Sequence, residues 1–165
     1  METLAGIIGS LSGIILGSCL TYYFHCQRTK FENFLRFEFE IFTDLYFKII
    51  KCYKTLHLYA NLLTSYQRNP QIFYDKVQPA ILEFEETRDK AIIFIKDQKV
   101  REYLDEFSKY VKQVGTSIHI HLVQGESDKY PPEVSNPDFQ GLSKAYSNIV
   151  KVFESKFDTY KIIFW

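Results

Sequence analysis

Two closely spaced histidines are the residues with the clearest potential for chemistry. His119 and His121 stand two positions apart in the run Ile-His-Ile-His-Leu. On a β-strand this spacing would place both rings on one face, where they could share a metal ion, whereas on a helix they point to different faces. Two histidines without a carboxylate or thiol at suitable spacing are a weak metal signal. His119 and His121 are therefore weak metal candidates, and we expect no cofactor.

The three cysteines give no sign of a metal or redox centre. Cys19, Cys26 and Cys52 all lie in the first third of the chain. Their spacings match no zinc or redox motif, and an odd number does not suggest a disulfide framework. We interpret them as free thiols of a protein in a reducing compartment.

Motifs for catalysis are missing from the rest of the sequence. Only three glycines follow residue 17, which is too few for a phosphate-binding loop. The charged clusters at 85–89 and 101–106 have the pattern of solvated helix faces with local ion pairs. No serine or cysteine has a base at a spacing that predicts a nucleophile. We expect no catalytic residue and no enzymatic activity.

Composition and charge narrow the choice of function further. With 46% hydrophobic and 24% charged residues, the chain is not of the disordered class. Aromatic residues reach 17%, which favours large, well-filled interfaces between helices. The formal net charge is zero, and this makes a nucleic acid unlikely as the main ligand, because such binding depends on a cationic surface.

The N-terminal segment has the features of a single transmembrane helix. Leu4–Phe24 contains no charged residue over 21 positions, and a helix of that length spans roughly 30 Å, the thickness of a bilayer core. Tyr22 and Tyr23 form an aromatic end that is typical of the membrane–water interface. We predict a transmembrane anchor over residues 1–27.

Flanking residues favour a retained anchor with its C-terminal side in the cytoplasm. A secretory signal peptide would carry Lys or Arg before the apolar stretch, and here only Glu2 is charged. The run 16–19 resembles a lipoprotein cleavage box, but the uncharged residues continue past Cys19. Arg28 and Lys30 follow the span, so the positive-inside rule predicts an anchor in the cell inner membrane and a cytoplasmic domain over 28–165.

A stripe of small residues runs along the predicted anchor. Ala5, Gly9, Gly13 and Gly17 recur every four positions, and each step of four turns only about 40° around a helix. Such a surface lets two helix backbones approach closely within lipid, so we expect homo-oligomers. In a ring of copies, the other small and polar residues could line a narrow wet path, namely Gly6, Ser10, Ser12 and Ser18.

The remaining residues predict an all-α, antiparallel helical bundle. Apolar residues recur at helical spacing from Phe31 to Tyr66, and Asn69-Pro70 ends this first long helix. A second helix is predicted over 72–96, with a kink or fresh start at Pro79.

Two further helices complete the predicted bundle. Asp97 is a suitable N-cap for a third helix, which Gly115 interrupts. Ile118–Leu122 alternates like a strand, but helix is preferred because no second strand is available to pair with it. A loop over Gly125–Pro137 precedes a final helix from Phe139.

This layout resembles the small membrane-anchored helical proteins of bacterial antiphage systems, in particular the accessory membrane protein of type VI-B CRISPR loci. The resemblance rests on the span Leu4–Phe24 followed by a Phe- and Tyr-rich bundle of similar total size. It implies a cytoplasmic all-α domain related to the HEPN fold, ring-like oligomers, and an effect on the inner membrane during phage infection.

The ribonuclease motif of HEPN proteins does not occur here. That motif is an arginine followed, after four to six residues, by a histidine. None of the five arginines stands at that distance before a histidine. Six residues separate Lys112 from His119, but lysine substitutes poorly for arginine at a phosphate.

Three hypotheses for function follow. The first is a non-enzymatic, oligomeric membrane effector or regulator that forms a pore, acts in antiphage defence and contacts membrane lipid. The second is a membrane tether or scaffold that recruits a cytoplasmic protein partner. The third is an anchored HEPN-like nuclease.

Overall fold

The structure, a computed structural model, describes the backbone of residues 2–61, 69–124, 129 and 137–164. Side chains are described for residues 17–60, 69–124, 129 and 137–158. The chain divides into two compact units, Met1–Phe39 and Glu40–Trp165. The predicted boundary between anchor and bundle, at 27/28, stays a prediction.

The described backbone consists of helices and contains no strand. In chain order the elements are α1 (Glu2–Asn61), α2 (Pro70–Ile72), a first π-turn (Phe73–Val77), α3 (Gln78–Ala91), α4 (Gln98–His119), a second π-turn (Ile120–Gln124) and α5 (Phe139–Phe164). The all-α prediction is confirmed, and so is the helical preference for Ile118–Leu122.

The helices of the second unit form an antiparallel bundle. Phe42 and Tyr53 of α1 contact Phe153 and Tyr146 of α5, so residue numbers rise along one helix as they fall along the other. The pairs that join α3 to α4 and α4 to α5 run in opposite directions in the same way, namely Ile81 with Gly115, Arg88 with Ser108, Tyr110 with Gly141 and Asp97 with Lys156.

One hydrophobic core joins these helices. Twelve of its side chains are both large and essentially inaccessible to solvent: Phe84, Phe107, Phe153, Leu45, Ile49, Leu56, Ile95, Leu104, Ile118, Leu142, Ile149 and Val77. On α4, the buried residues recur every three or four positions, as the sequence predicts, and form a stripe that faces the other helices: Val100, Leu104, Phe107, Val111 and Val114.

Local capping explains where α4 begins. The carboxylate of Asp97 accepts hydrogen bonds from the backbone N–H groups of Lys99 and Val100, at 3.0 and 3.4 Å. These N–H groups have no partner inside the helix, so the side chain satisfies them. The predicted N-cap is therefore confirmed.

The second predicted helix ends earlier than its sequence pattern indicates. It was expected over 72–96, but α3 ends at Ala91 and the chain turns at Ile92–Phe94. The guanidinium of Arg101 donates to the carbonyls of Ile95 (2.6 Å) and Ile92 (3.3 Å). A side chain ten residues further on thus satisfies backbone acceptors that a longer helix would have used.

The helix does not start afresh at Pro79. Ile72, Val77 and Gln78 all have helical backbone angles, so α2, the first π-turn and α3 follow one another without a break. In the π-turn the N–H of Gln78 donates to the carbonyl of Phe73, one residue further back than in an α-helix, and this wider turn directly precedes the proline.

The predicted interruption at Gly115 is wrong. Gly115 is buried inside the continuous helix α4, and a Cβ added there would lie 2.6 Å from Cδ1 of Ile81. The glycine is thus a point of close packing between α3 and α4 and not a helix end. Its missing side chain makes room for Ile81.

Several sequence predictions fall outside the described residues. They are the chain between Asn61 and Asn69, including the predicted helical residue Tyr66, most of the Gly125–Pro137 loop, and the side chain of Tyr160.

The described residues do not by themselves supply the predicted membrane span. Within them, no helix is both long and apolar enough to cross a bilayer. The uncharged positions with described side chains, 17–27, number 11, and a helix of that length extends only about 16 Å. The side chains of positions 4–16 lie outside the described part, so the anchor stays a prediction.

Candidate functional sites

The N-terminal half of α1 carries the predicted membrane-interface residues, and they are exposed. Tyr22, Tyr23 and Phe24 expose 71%, 57% and 66% of their surface, and Leu20 exposes 56%. Large apolar side chains exposed this close together are typical of surfaces that contact lipid or another chain. The predicted interface residue Lys30 is exposed as well.

Arg28 is exposed but already has a partner. Its Nε donates to Oε1 of Glu32, one helical turn further on, at 2.7 Å. Both side chains are more than half exposed, so the pair adds little to stability. The charge that Arg28 was predicted to contribute at the interface is therefore partly offset by Glu32.

Gly17 is the one member of the predicted packing stripe whose surroundings are described. A Cβ added to Gly17 would have no heavy atom within 4 Å. Thr21, which extends the stripe, donates its hydroxyl to the Gly17 carbonyl at 2.8 Å and so presents its methyl group rather than a free hydroxyl. Ala5, Gly9 and Gly13 lie outside the described side chains.

The two histidine rings make separate contacts. The ring of His119 packs edge-to-face on Phe73, with centroids 4.8 Å apart. Nδ1 of His121 lies 2.8 Å from the Ser117 carbonyl, which accepts a hydrogen bond from the Nδ1–H tautomer. Among the described residues, no three His, Cys, Asp or Glu side chains come together in a way that could hold a metal ion.

A half-buried polar cluster joins α3 to α4. Glu85 and Arg88 are each 17% exposed and form a salt bridge of 2.9 Å. Ser108 of α4, itself 3% exposed, donates to Glu85 at 2.6 Å and accepts from Arg88. The hydroxyl is too buried to meet a substrate, so the cluster fixes the register of two helices.

This cluster corrects part of the sequence interpretation. The segments 85–89 and 101–106 were expected to be solvated faces, and Glu86 and Asp89 are indeed exposed. Glu85 and Arg88 instead face α4, and Arg101 caps the end of α3. Charged residues at helical spacing do not reveal which of them will meet a polar partner on a neighbouring helix.

Cys52 is a buried thiol within the core. It is fully inaccessible to solvent, and burial, together with the negative charge of Glu85, raises its pKa well above the ordinary value. A thiol held in the neutral form is a poor nucleophile and a poor metal ligand. Cys19 is exposed and Cys26 partly so, and all three are free, as predicted.

A groove rich in lysine was not anticipated from the sequence. It lies between α1 and the segment made of the first π-turn and α3. Its lining includes Lys51, Lys54, Thr55, Tyr59, Lys76 and Glu83, and we call it the lysine groove. These residues come from three elements, and no sequence motif connects them.

Comparison of the chain with protein-family models, with curated proteins and with solved structures gave no match.

Proposed function

We propose that this chain is a membrane-anchored, self-associating effector or regulator without enzymatic activity, whose helical bundle lies in the cytoplasm. The observation that carries the proposal is the surface of α1 between Gly17 and Phe24, where apolar and aromatic side chains are exposed. That surface continues the uncharged stretch that begins at Leu4. Aromatic residues followed by Arg28 and Lys30 are the usual sequence at the cytoplasmic end of a membrane helix.

Self-association would use the stripe of small residues. The Gly17 side of α1 is open, so a second backbone could approach there without displacing a side chain. Ala5, Gly9 and Gly13 would extend the same contact through the membrane. The aromatic-rich bundle would set the number of copies or receive a signal.

The proposed consequence of assembly is a change in the permeability of the inner membrane. The span is diluted by glycine and serine, so an assembly of several copies would place small polar atoms around a central path. The resemblance to the accessory membrane proteins of type VI-B CRISPR loci supports the same proposal, with antiphage defence as its setting.

The mass of the full-length protein in mild detergent tests the association step. Wild type should give a discrete oligomer, and a Gly9→Leu, Gly13→Leu double variant should give a smaller species, because two leucines would separate the backbones. Leu11→Phe is the control, since it adds bulk at a position about 160° around the helix from Gly9 and Gly13. It should leave the mass unchanged. Equal masses for wild type and the double variant would overturn the packing proposal.

The tether is the alternative outcome of the same experiment. A monomer in wild type and in both variants would favour an anchored bundle that recruits a cytoplasmic protein. In that case, replacing residues 1–24 by an unrelated membrane helix should preserve function. Loss of function on that replacement would exclude the simple tether.

A further inference from the structure

The lysine groove is large enough to hold a small molecule. Its volume is about 430 Å³, within the range of roughly 300–1,000 Å³ that is usual for ligand pockets. It is open to solvent on one side and formed entirely by residues of the second unit, Glu40–Trp165.

Positive charge in the groove exceeds negative charge. Glu83 accepts hydrogen bonds from both Lys48 and Lys51, at 2.8 Å each, so one carboxylate serves two ammonium groups. Within the described part of the chain, Lys54 and Lys76 form no salt bridge. Asp75, the other carboxylate in the lining, accepts from Gln71 at 2.8 Å.

The arrangement is also partly ordered in advance. Glu83 holds Lys51 in the lining of the groove and also binds Lys48, whose side chain is 29% exposed, beside the groove. Thr55 and Tyr59, both half-buried, add hydroxyl donors to the lining. A ligand therefore meets one ammonium group and two hydroxyl groups that are already in place, which reduces the entropy lost on binding.

We propose that the lysine groove binds a phosphate-bearing anion. Lysine is a common ligand for phosphate because its ammonium group acts as a compact point charge with three donors. Three lysines line the groove against two carboxylates, and Lys48, which shares Glu83 with Lys51, adds a fourth positive charge beside it, so an anion with two charges would balance the local charge. The zero net charge of the whole chain fits a local anion site rather than a long track for nucleic acid.

Binding of inorganic pyrophosphate to the full-length chain in nonionic detergent tests the proposal. Titration calorimetry should give saturable binding to wild type. A Lys54→Gln, Lys76→Gln variant should bind at least about tenfold more weakly, since two unpaired cations are removed. Both side chains are exposed, so the variant should fold, and its helical circular dichroism should match wild type.

A Lys90→Gln, Lys109→Gln variant is the matched control. Both lysines are exposed, on α3 and α4, and neither lines the groove, so pyrophosphate binding should be unchanged. Equal weakening in the control would show only a general effect of charge and would overturn the site. Absence of saturable binding to wild type, or wild-type affinity in the Lys54→Gln, Lys76→Gln variant, would also overturn it.

Binding measurements in nanodiscs distinguish the two possible sources of the phosphate group, a lipid headgroup and a soluble phosphorylated compound. If a lipid headgroup occupies the groove, discs that contain phosphatidylglycerol should weaken pyrophosphate binding relative to discs of phosphatidylcholine alone. Equal binding in the two kinds of disc assigns the groove to a soluble phosphorylated compound. The inference goes beyond the proposed function, because the Gly9→Leu, Gly13→Leu variant should bind pyrophosphate normally whatever its mass.

Discussion

Tyr53 of α1 and Tyr146 of α5 stack face to face, with ring centroids 3.8 Å apart and ring planes at 5° to each other. One turn before Tyr146, the hydroxyl of Ser143 lies 3.1 Å from the Tyr53 hydroxyl and shares a hydrogen bond with it. The first and last helices of the bundle are thus joined by a ring contact and a polar contact at the same level. These contacts link residues about ninety positions apart in the chain.

The stacked tyrosines should be energetically coupled. We expect a double-mutant cycle with Tyr53→Leu and Tyr146→Leu, measured by urea unfolding, to give a coupling free energy of about 0.5–1.5 kcal/mol. A stacked pair of rings contributes this free energy beyond the burial of apolar area by each ring. Tyr53→Phe keeps the ring and should lose only the hydrogen bond, about 1 kcal/mol. If the changes in unfolding free energy of the two single variants add up to that of the double variant, the rings do not interact.

Gly115 and Ile81 should behave as a pair. Gly115→Ala gains helix propensity but places a Cβ against Cδ1 of Ile81, so its effect in wild type should be small. In an Ile81→Val background that Cδ1 is gone, and Gly115→Ala should then stabilise the protein by up to about 1 kcal/mol. Thermal unfolding of the four proteins tests this. An equal effect of Gly115→Ala on stability in both backgrounds would contradict the packing contact between Gly115 and Ile81.

Removal of one charge from the cluster between α3 and α4 should cost more than removal of both. Arg88→Met leaves Glu85 with the Ser108 hydroxyl and with Lys112, at 3.6 Å, as its one cation among the described residues, and should destabilise the protein by about 3 kcal/mol. Adding Glu85→Leu removes the unpaired carboxylate and should restore at least half of that loss. Chemical unfolding measures both values. A double variant less stable than Arg88→Met alone would refute the explanation.

The ionisation of Glu83 should make the free energy of unfolding depend on pH only under acidic conditions. Hydrogen bonds from Lys48 and Lys51 lower the pKa of Glu83 from 4.5 to about 2. The unfolded chain therefore takes up a proton first as the pH falls, so the stabilisation is complete above pH 4.5 and disappears as the pH approaches 2. More than a third of the side chain is exposed, so the contribution should be about 1 kcal/mol or less.

A comparison of wild type with Glu83→Gln checks this dependence. The difference in midpoint temperature should be constant between pH 7 and 5 and should narrow at lower pH. A constant difference down to pH 3 would mean that the lysines do not hold Glu83 ionised.

Regular parts of the fold could be predicted from the sequence because local patterns determine them. The apolar stripe of α4 has a helical period, and Asp97 stands directly before it with an acceptor for the free N–H groups. Pro79 likewise indicates an irregularity, because its ring cannot continue the regular α-helical hydrogen bonds, and the π-turn over Phe73–Val77 directly precedes it.

The sequence predictions are wrong where a residue distant in the chain determines the local structure. The end of α3 depends on Arg101, which donates to carbonyls six and nine residues earlier. Gly115 looked like an interruption because glycine weakens an isolated helix, but Ile81 requires the space. The lysine groove was missed for the same reason, since Lys54 and Lys76 come together only when the helices pack.

The buried thiol of Cys52 gives the protein a built-in reporter of transient opening. A thiol reagent can modify Cys52 only during moments when the bundle separates around it, whereas the same thiol reacts freely in the unfolded chain. The ratio of these two labelling rates therefore measures the opening equilibrium without an introduced cysteine. Ligands or lipids that tighten the bundle would slow the labelling of Cys52 in the folded protein and leave its rate in the unfolded chain unchanged.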